Sequence, residues 1–309
     1  MENLQLLLAN KCLVQKADSL VVDNSKPIRI IYGETYDEYG LTIDSLKYYL
    51  FLSLLHKTLE DMGIKVESFV IIGDLHSVKN KIVQNKDGLL SEAHARLVQV
   101  NKIKSKLELK FEPVLMSNIF GDPMFKNRLE TITPIFNKSE ELKELAKKTI
   151  LQNRQAQEEK TGFEYTLEEV ALIMNYDIKI GPPRETYFDQ LAQKLGSGLK
   201  GIYLRPTYPL GMNFDFFINN PEIEEFGLTP YKAGSNKMQE CRIILGKTSE
   251  QDIKNLINNS FIPRDMFLAN PILDLACIVG MRYQIDIFDL LNDREELTDR
   301  LFNLIKEIV

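Results

Sequence analysis

The sequence predicts an α/β protein in which helices flank a parallel β-sheet and a helical part follows at the C-terminal end. The first observation is the apolar run at residues 70–72, which stops at Gly73 and opens into a polar segment, as a buried parallel strand does at its carboxyl end. The second is the order strand, helix, strand over residues 28–72, which predicts a right-handed βαβ unit. The third is the helical patterning of the chain from Ser249 onward. Ligands of open α/β sheets bind beyond the carboxyl ends of the strands, so we expect the functional site at that edge.

Composition sets the broad class of the protein. The chain has 309 residues, of which 44% are hydrophobic, and this suits one large or two modest globular domains. Its net charge of −6 argues against a continuous basic groove for non-specific nucleic-acid binding but leaves room for a local basic patch. The three cysteines are far apart in sequence, which fits a reducing compartment and argues against a zinc site. No apolar run is long enough to span a membrane, so we expect a cytoplasmic protein without a membrane partner.

The first half of the chain alternates between strand and helix patterns. Residues 28–32 predict a strand that ends at Gly33, and Thr42 is expected to cap a helix that ends at Gly63. This helix is apolar almost all round, which indicates a buried helix. The following patterns predict a strand at 69–72, a helix at 91–104, a strand within 107–115, a turn at 118–122, and a long charged helix at 138–160 that Gly162 ends.

The second half completes the sheet and adds the helical part. The patterns predict a helix at 166–175, a strand at 176–180, a turn at 181–183, a helix ending at Gly196, a strand at 201–204, a loop at 212–237 and a last strand at 242–245. Asn270, followed by proline, is typical of a helix start. We expect a catalytic domain at 1–246, with a helical insertion at about 85–165, and a helical domain at 247–309.

Four segments in this order resemble class I aminoacyl-tRNA synthetases of the tyrosyl/tryptophanyl type, especially the archaeal tyrosyl form. Residues 73–76 (GDLH) resemble the family's A-D-L-H strand end, and residues 177–195 resemble its strand, G-G-x-D/E-Q turn and helix. Residues 232–242 lie where the mobile K-M-S-K-S loop belongs, and residues 249–276 resemble the segment after it. The resemblance covers roughly residues 28–278. It implies a Rossmann-like domain, binding of an amino acid and of ATP with Mg²⁺, tRNA as a partner, and a homodimer.

The sequence departs from the family where the chemistry should be. No H-x-G-H signature exists, because the only histidines are His56, His76 and His94. The family's ribose-binding acid is replaced by Arg184, and the tyrosine that holds the substrate amine falls on Ala171. We therefore expect a synthetase-like protein that activates or transfers an amino acid other than tyrosine. Two alternatives stay open, namely an aminoacyl-tRNA-dependent acyl transferase similar to cyclodipeptide synthases, and an inactive paralogue that binds tRNA or nucleotide.

The strand ends and the resemblance together assign candidate site residues. Flexible lysines on a mobile loop can reach phosphate groups, so Lys232 and Lys237 are catalytic candidates. His76 is a third catalytic candidate because it follows the end of the buried strand at residues 70–72. Substrate contacts are expected from Tyr32, Gly33, Glu34, Asp74, His76, Asn175, Arg184 and Glu185. Cofactor contacts are expected from Thr42, Asp44, Ser235, Lys237 and Arg242, and no metal ligand is assigned.

Several of these assignments have a purely structural alternative. Asp74 can cap a helix instead of lining a pocket, and Arg184 can pair with Glu185. The lysines at 232–242 can belong to a solvated basic loop. The charged helix at 138–160 either contacts a partner subunit and the tRNA acceptor stem, as in the family, or presents a solvated face.

Overall fold

A single five-stranded sheet organises the protein, and every strand pairing within it is parallel. The computed structural model describes residues 26–34, 41–74, 86–153, 159–180, 187–195, 202–204, 243, 245–259 and 271–309. The strands are β1 (Ile28–Glu34), β2 (Val66–Ile72), β3 (Glu112–Leu115), β4 (Ile178–Ile180) and β5 (Ile202–Leu204). Their order across the sheet is β3-β2-β1-β4-β5. The predicted α/β class with a parallel sheet is confirmed.

The strand order reverses beside β1. The chain first adds β2 and β3 on one side of β1, and then returns to place β4 and β5 on the other side. Ligands of open α/β sheets bind at the carboxyl ends of the strands next to such a reversal. We call this side of the sheet, where β1 ends at Glu34, the carboxyl edge, and the side where β1 begins at Ile28 the amino edge.

Eleven helices lie around the sheet within the described residues. They are α1 (Ile43–Asp61), α2 (Lys86–Leu107), α3 (Met116–Phe120), α4 (Pro123–Asn137), α5 (Glu140–Asn153), α6 (Glu159–Ile173), α7 (Tyr187–Lys194), α8 (Glu250–Asn259), α9 (Pro271–Tyr283), α10 (Ile287–Asn292) and α11 (Arg294–Ile308). Helix α1 ends before Gly63, whose φ of 78° is the left-handed conformation that favours glycine, as the sequence predicted. No described helix is long and apolar enough to cross a membrane.

The side chains of β1 alternate between two hydrophobic clusters, one on each face of the sheet. Ile30 and Tyr32 belong to the cluster formed by α1, α2 and α8 to α11, whereas Ile31 belongs to the cluster formed by α3 to α7. The sheet is therefore the middle of three layers. Helices from both sides of residue 246 share the first cluster, and the predicted domain boundary there stays a prediction.

Local patterns misplaced some elements. The predicted turn at 118–122 is wrong, because residues 116–120 form α3. The predicted helix break at Gly162 is also wrong, since this glycine lies inside α6, where its carbonyl accepts a hydrogen bond of 2.8 Å from the Thr166 hydroxyl. Of the strand predicted within 107–115, only Glu112–Leu115 forms. The segment predicted as a helical insertion at 85–165 therefore contains one strand of the main sheet. Helix α4 had no counterpart among the predicted elements.

Of the strand predicted at 242–245 only residues 243 and 245 are described, so this strand stays a prediction. Ile243 and Leu245 form two backbone hydrogen bonds of 3.0 Å with the start of α1. The Ile43 N–H donates to the Ile243 carbonyl, and the Leu245 N–H donates to the Leu41 carbonyl. Residues 243 and 245 are thus hydrogen-bonded to the start of the helix that follows β1.

Candidate functional site

Glu34, the last residue of β1, places a carboxylate in the interior of the carboxyl edge. It pairs in register with Ile72, the last residue of β2, and its side chain is fully buried. Even-numbered residues of β1 face α1 and α2, so the Glu34 side chain meets residues of those two helices. An acid in this position is costly to bury unless other groups compensate its charge.

Three side chains from two helices surround this carboxylate. The Ser45 hydroxyl on α1 donates a hydrogen bond of 2.9 Å to Oε1 of Glu34, and Nη1 of Arg96 on α2 lies 3.5 Å from the same oxygen. The Arg96 side chain is only 5% exposed. Among the described residues, Oε2 of Glu34 and the Tyr49 hydroxyl are both buried without a hydrogen-bond partner of good geometry. Oε1 is therefore the better compensated oxygen, and the hydroxyls of Tyr49 and Tyr32, which also lower the pKa of Glu34, are the other polar groups beside the carboxylate.

Burial dominates the ionisation of this group. Desolvation raises the pKa of Glu34 above its usual value, while Arg96 and then the hydroxyl of Ser45 oppose that rise. Burial also raises the pKa of Tyr49 well above the usual tyrosine value, and the adjacent Glu34 charge adds to it. Tyr49 therefore stays neutral at all physiological pH values and can only donate or accept a hydrogen bond.

Aromatic rings cover the same region. Tyr32 on β1 stacks on Tyr48 with ring centroids 4.6 Å apart, and it meets Tyr49 edge-on at 6.1 Å. We call Tyr32, Glu34, Ser45, Tyr49 and Arg96 the carboxyl-edge cluster. It combines a partly compensated acid with aromatic surface, which is a chemistry suited to a cationic group.

Both oxygens of Asp74 accept hydrogen bonds from Ser117. Its Oδ1 accepts a hydrogen bond of 2.9 Å from the Ser117 N–H, and its Oδ2 accepts one of 2.5 Å from the Ser117 hydroxyl. Ser117 lies in the first turn of α3, whose free N–H groups need acceptors. Asp74 is 2% exposed, so it caps α3 from the neighbouring strand end, as its structural alternative predicted.

Three other candidates at this edge lie within the described residues, namely Gly33, Thr42 and Asp44. Gly33 is exposed, and nothing lies within 4 Å of the position that a Cβ would take there. Thr42 occupies the N-cap position of α1, but its side chain makes no capping hydrogen bond, so the expected side-chain cap is wrong. Asp44 lies in the first turn of α1. The candidates outside the described residues are His76, Arg184, Glu185, Lys232, Ser235, Lys237 and Arg242.

Asn175 lies at the opposite, amino edge of the sheet and does not join the carboxyl-edge cluster. It precedes β4 and lines a cavity of about 580 Å³, together with the start of β1 and of α4. The wall of this cavity carries Lys26, Arg29, Glu67, Asp122, Arg128 and Asp177. The expectation that Asn175 shares a site with the strand-end residues is therefore wrong, because it sits before its strand instead of after it.

Arg29 is fixed at this amino edge by many contacts. Its Nε lies 3.5 Å from Oε2 of Glu67, its Nη1 donates a hydrogen bond of 3.3 Å to the Asn175 carbonyl, and its backbone N–H donates one of 2.9 Å to Asp177. The guanidinium lies 4.7 Å from the ring centroid of Tyr176 and 5.5 Å from that of Phe69. Burial raises the pKa of Tyr176 to about 12. We call these residues the amino-edge cluster.

Sequence reasoning missed Arg96, Ser45 and Tyr49. A signal for Arg96 existed, since it lies three residues after Ala93 and four before Val100, both buried on the inner face of α2. A charged residue at such an apolar position predicts a buried partner of opposite charge. Ser45 and Tyr49 carried no comparable signal, because α1 is apolar nearly all round.

The described residues near the start of α1 do not fit the phosphates of ATP. The first two turns of α1 contain no histidine, and their one cation, Lys47, is fully buried with its Nζ 5.3 Å from the ring centroid of Tyr48. Arg96 is engaged with Glu34. The described part of the chain also contains no group of three or more side chains placed to hold a metal ion.

Comparison with known proteins gives a likeness of structure alone. The chain matches no model of a protein family and no curated protein sequence. Tyrosyl-tRNA synthetase from Archaeoglobus fulgidus, solved with L-tyrosine, superposes with a TM-score of 0.59 at 14% identity, covering 91% of this chain and 89% of that chain. Tyrosyl-tRNA synthetase from Aeropyrum pernix gives 0.55 at 16% identity over 92% and 85%.

A tryptophanyl enzyme matches in the same way. The tryptophanyl-tRNA synthetase from Encephalitozoon cuniculi, bound to tryptophan, gives a TM-score of 0.53 at 12% identity over 93% of this chain and 81% of that chain. These likenesses extend over nearly the full length of the chain and agree with the strand order and the three layers. The chain therefore has a class I aminoacyl-tRNA synthetase fold of the tyrosyl/tryptophanyl type.

Proposed function

We propose that this protein binds an amino acid or an aminoacyl group at the carboxyl edge and joins it to tRNA or another acceptor. The observation that carries the proposal is the buried Glu34, better compensated on one oxygen than on the other, beside the strand-order reversal of a synthetase-type sheet. Perturbed titratable groups concentrate at functional sites, and this is the position at which the fold binds ligands.

We propose an amino acid other than tyrosine as the substrate. The position where the resemblance expects a tyrosine to hold the substrate amine is Ala171, which is fully buried in the second hydrophobic cluster. A methyl group there cannot accept or donate a hydrogen bond. Asn175, which follows on the same stretch, lies at the amino edge. Substrate selection must therefore rest on other residues than those of a tyrosyl enzyme.

The route of activation separates two versions of the proposal. ATP with Mg²⁺ would be held by residues 232–242, whose lysines are suited to phosphates, since the described residues do not fit them. Alternatively the protein takes an amino acid already esterified to tRNA and transfers it, which needs no ATP. A homodimer, expected from the resemblance, stays a prediction.

The experiment compares three assays on the full chain. Isotope exchange between ATP and pyrophosphate, dependent on one amino acid, supports activation by the protein itself. Product formed only from charged tRNA supports acyl transfer. Binding of tRNA without either reaction contradicts the enzymatic proposal and supports an inactive paralogue. Lys237→Ala and His76→Ala are expected to lower single-turnover rates, and unchanged rates and ligand affinity in both variants would show that the assigned catalytic residues are wrong.

A further inference from the structure

The carboxyl-edge cluster contains a charge arrangement that folding alone does not explain. Breaking a buried ion pair is costly, but replacing the whole pair by apolar residues is often neutral or stabilising. The pair here is also incomplete, because within the described part of the chain one oxygen of Glu34 and the neighbouring Tyr49 hydroxyl are buried without a hydrogen bond of good geometry. A buried carboxylate left half satisfied is unfavourable unless a ligand completes it.

The chemistry of a carboxylate oxygen indicates which kind of ligand group Oε2 of Glu34 would bind. A carboxylate accepts hydrogen bonds and attracts positive charge, and an ammonium group supplies three donors and one charge. An aminoacyl group carries such an ammonium whether it is a free amino acid or esterified to tRNA.

We propose that Glu34 binds the ammonium group of the aminoacyl substrate and that Arg96 is the positioning residue that holds Glu34 in place and ionised. This rests on the proposed function and deepens it, because it assigns one substrate group to one carboxylate. Arg96 and Ser45 both lie within contact distance of Oε1 of Glu34, so we assign the substrate ammonium group to Oε2, which lacks a hydrogen bond of good geometry among the described residues.

Arg96 is needed because the other groups around Glu34 cannot keep it charged. The described groups that face the carboxylate are Tyr32 on β1, Ser45 and Tyr49 on α1, and Arg96 on α2. Hydroxyl groups stabilise a carboxylate by hydrogen bonding alone, whereas a guanidinium adds opposite charge. Without Arg96, burial would raise the pKa of Glu34 further, and the neutral acid would no longer attract an ammonium group.

Calorimetric titration of the full chain tests this. The probes are each standard amino acid and a charged tRNA pool, followed, for the amino acid bound most tightly, by its 2-hydroxy-acid analogue, which lacks the ammonium group. Wild-type protein is expected to prefer the amino acid by about tenfold or more, the range of a hydrogen bond to a charged group. Glu34→Gln is expected to lose most of that preference.

The pH profile isolates Arg96. Affinity for the amino acid should fall as the pH falls through the pKa of Glu34. Arg96→Gln should move this loss of affinity to higher pH. Arg96→Lys, which keeps a positive charge, should give a profile closer to that of the wild type. Arg300→Gln removes a guanidinium paired with Glu296 far along the chain on α11 and is the control, with an unchanged profile expected. If Arg96→Gln does not fold, Arg96→Lys and Glu34→Gln still test the assignment.

The outcomes separate the two proposals. If wild-type protein binds an amino acid but Glu34→Gln keeps the preference for the ammonium group, or the Arg96 variants share the wild-type profile, the assignment is overturned and the proposed function stands. If wild-type protein binds neither amino acids nor charged tRNA, the proposed function falls and the assignment falls with it.

Discussion

Two arginine–glutamate pairs lie at opposite edges of the same sheet, and they have the same closest distance. Nε of Arg29 lies 3.5 Å from Glu67 at the amino edge, and Nη1 of Arg96 lies 3.5 Å from Glu34 at the carboxyl edge. Their surroundings differ. The side chains of the first pair are 19% and 48% exposed, whereas those of the second pair are 5% and 0% exposed. Distance alone therefore says little about what each pair contributes.

The two pairs differ in how many groups compensate each charge. Glu67 is hydrated, and Arg29 is held by two aromatic rings and a backbone carbonyl, so no charge there depends on a single partner. Glu34 is compensated mainly by Arg96, with smaller contributions from the hydroxyls of Ser45, Tyr49 and Tyr32. Each edge contains a buried atom without a hydrogen bond of good geometry, Nε of Arg29 at one and Oε2 of Glu34 at the other, so the contrast between the edges rests on burial and on how many groups compensate each charge.

The largest expected effect comes from Arg96→Met. This change leaves the Glu34 charge buried without a partner, which costs about 3–5 kcal/mol of the free energy of unfolding. Arg29→Met is the matched control at the amino edge and should cost only about 1–2 kcal/mol, the loss of cation–π and surface ion-pair contacts. Urea unfolding followed by circular dichroism measures both. Equal losses would remove the contrast between the edges.

A double variant sharpens the same contrast. Glu34→Gln combined with Arg96→Met removes both charges, so it should recover most of the stability lost by Arg96→Met alone, with a coupling of about 2 kcal/mol or more. The unfolding free energies of the two single variants and the double variant give this coupling. Additive losses would mean that the two side chains do not act as a pair.

The pH dependence of stability gives the next effect. Burial raises the pKa of Glu34 above the usual 4.5, so between the two values the native state binds more protons than the unfolded state. Glu34 therefore contributes stability at low pH that is lost as the pH rises through its folded-state pKa. The unfolding free energy of wild type relative to Glu34→Gln should fall with rising pH above about 4.5, at no more than about 1.4 kcal/mol per pH unit.

The opposite slope would contradict this. A difference that grows with pH would mean a lowered pKa, and thus a charge compensation stronger than the described contacts provide. Glu141→Gln, which removes an exposed acid paired with Lys194 on another helix, is the control for charge removal on the surface.

More of the fold than of the candidate site could be predicted from the sequence. The apolar runs, the glycine stops and the order of elements predicted β1, α1, β2 and the parallel sheet, because these depend on local periodicity and handedness. Helix α3 was not predicted because the side chain that caps it, Asp74, lies two residues after β2 and far from α3 in sequence. The partnership of Glu34 with Arg96 joins residues 62 positions apart, and no local pattern reports such a contact.

Asp74→Ala is expected to have a smaller effect than the change at Arg96. It removes two hydrogen bonds to Ser117 at the start of α3, which costs about 1–2 kcal/mol. Because both oxygens of Asp74 are satisfied within the protein, amino-acid affinity should not change beyond this loss of stability. Ser117→Ala, which removes one of the same bonds from the other side, is the control. A loss of affinity in Asp74→Ala alone would return Asp74 to the ligand site.

The smallest effect belongs to an ion pair of short distance whose acid is largely exposed. Nζ of Lys143 lies 2.6 Å from Glu140 on α5, closer than either edge pair, and it lowers the pKa of Glu140. Water screens such a pair, so Lys143→Ala should leave the unfolding free energy unchanged within error while the Glu140 pKa, measured by NMR, rises toward its usual value. The same variant tests whether α5 contacts tRNA, because loss of a phosphate contact would weaken tRNA binding and reduce its salt dependence. A measurable loss of stability would mean that distance, and not burial, decides what a charge pair contributes in this protein.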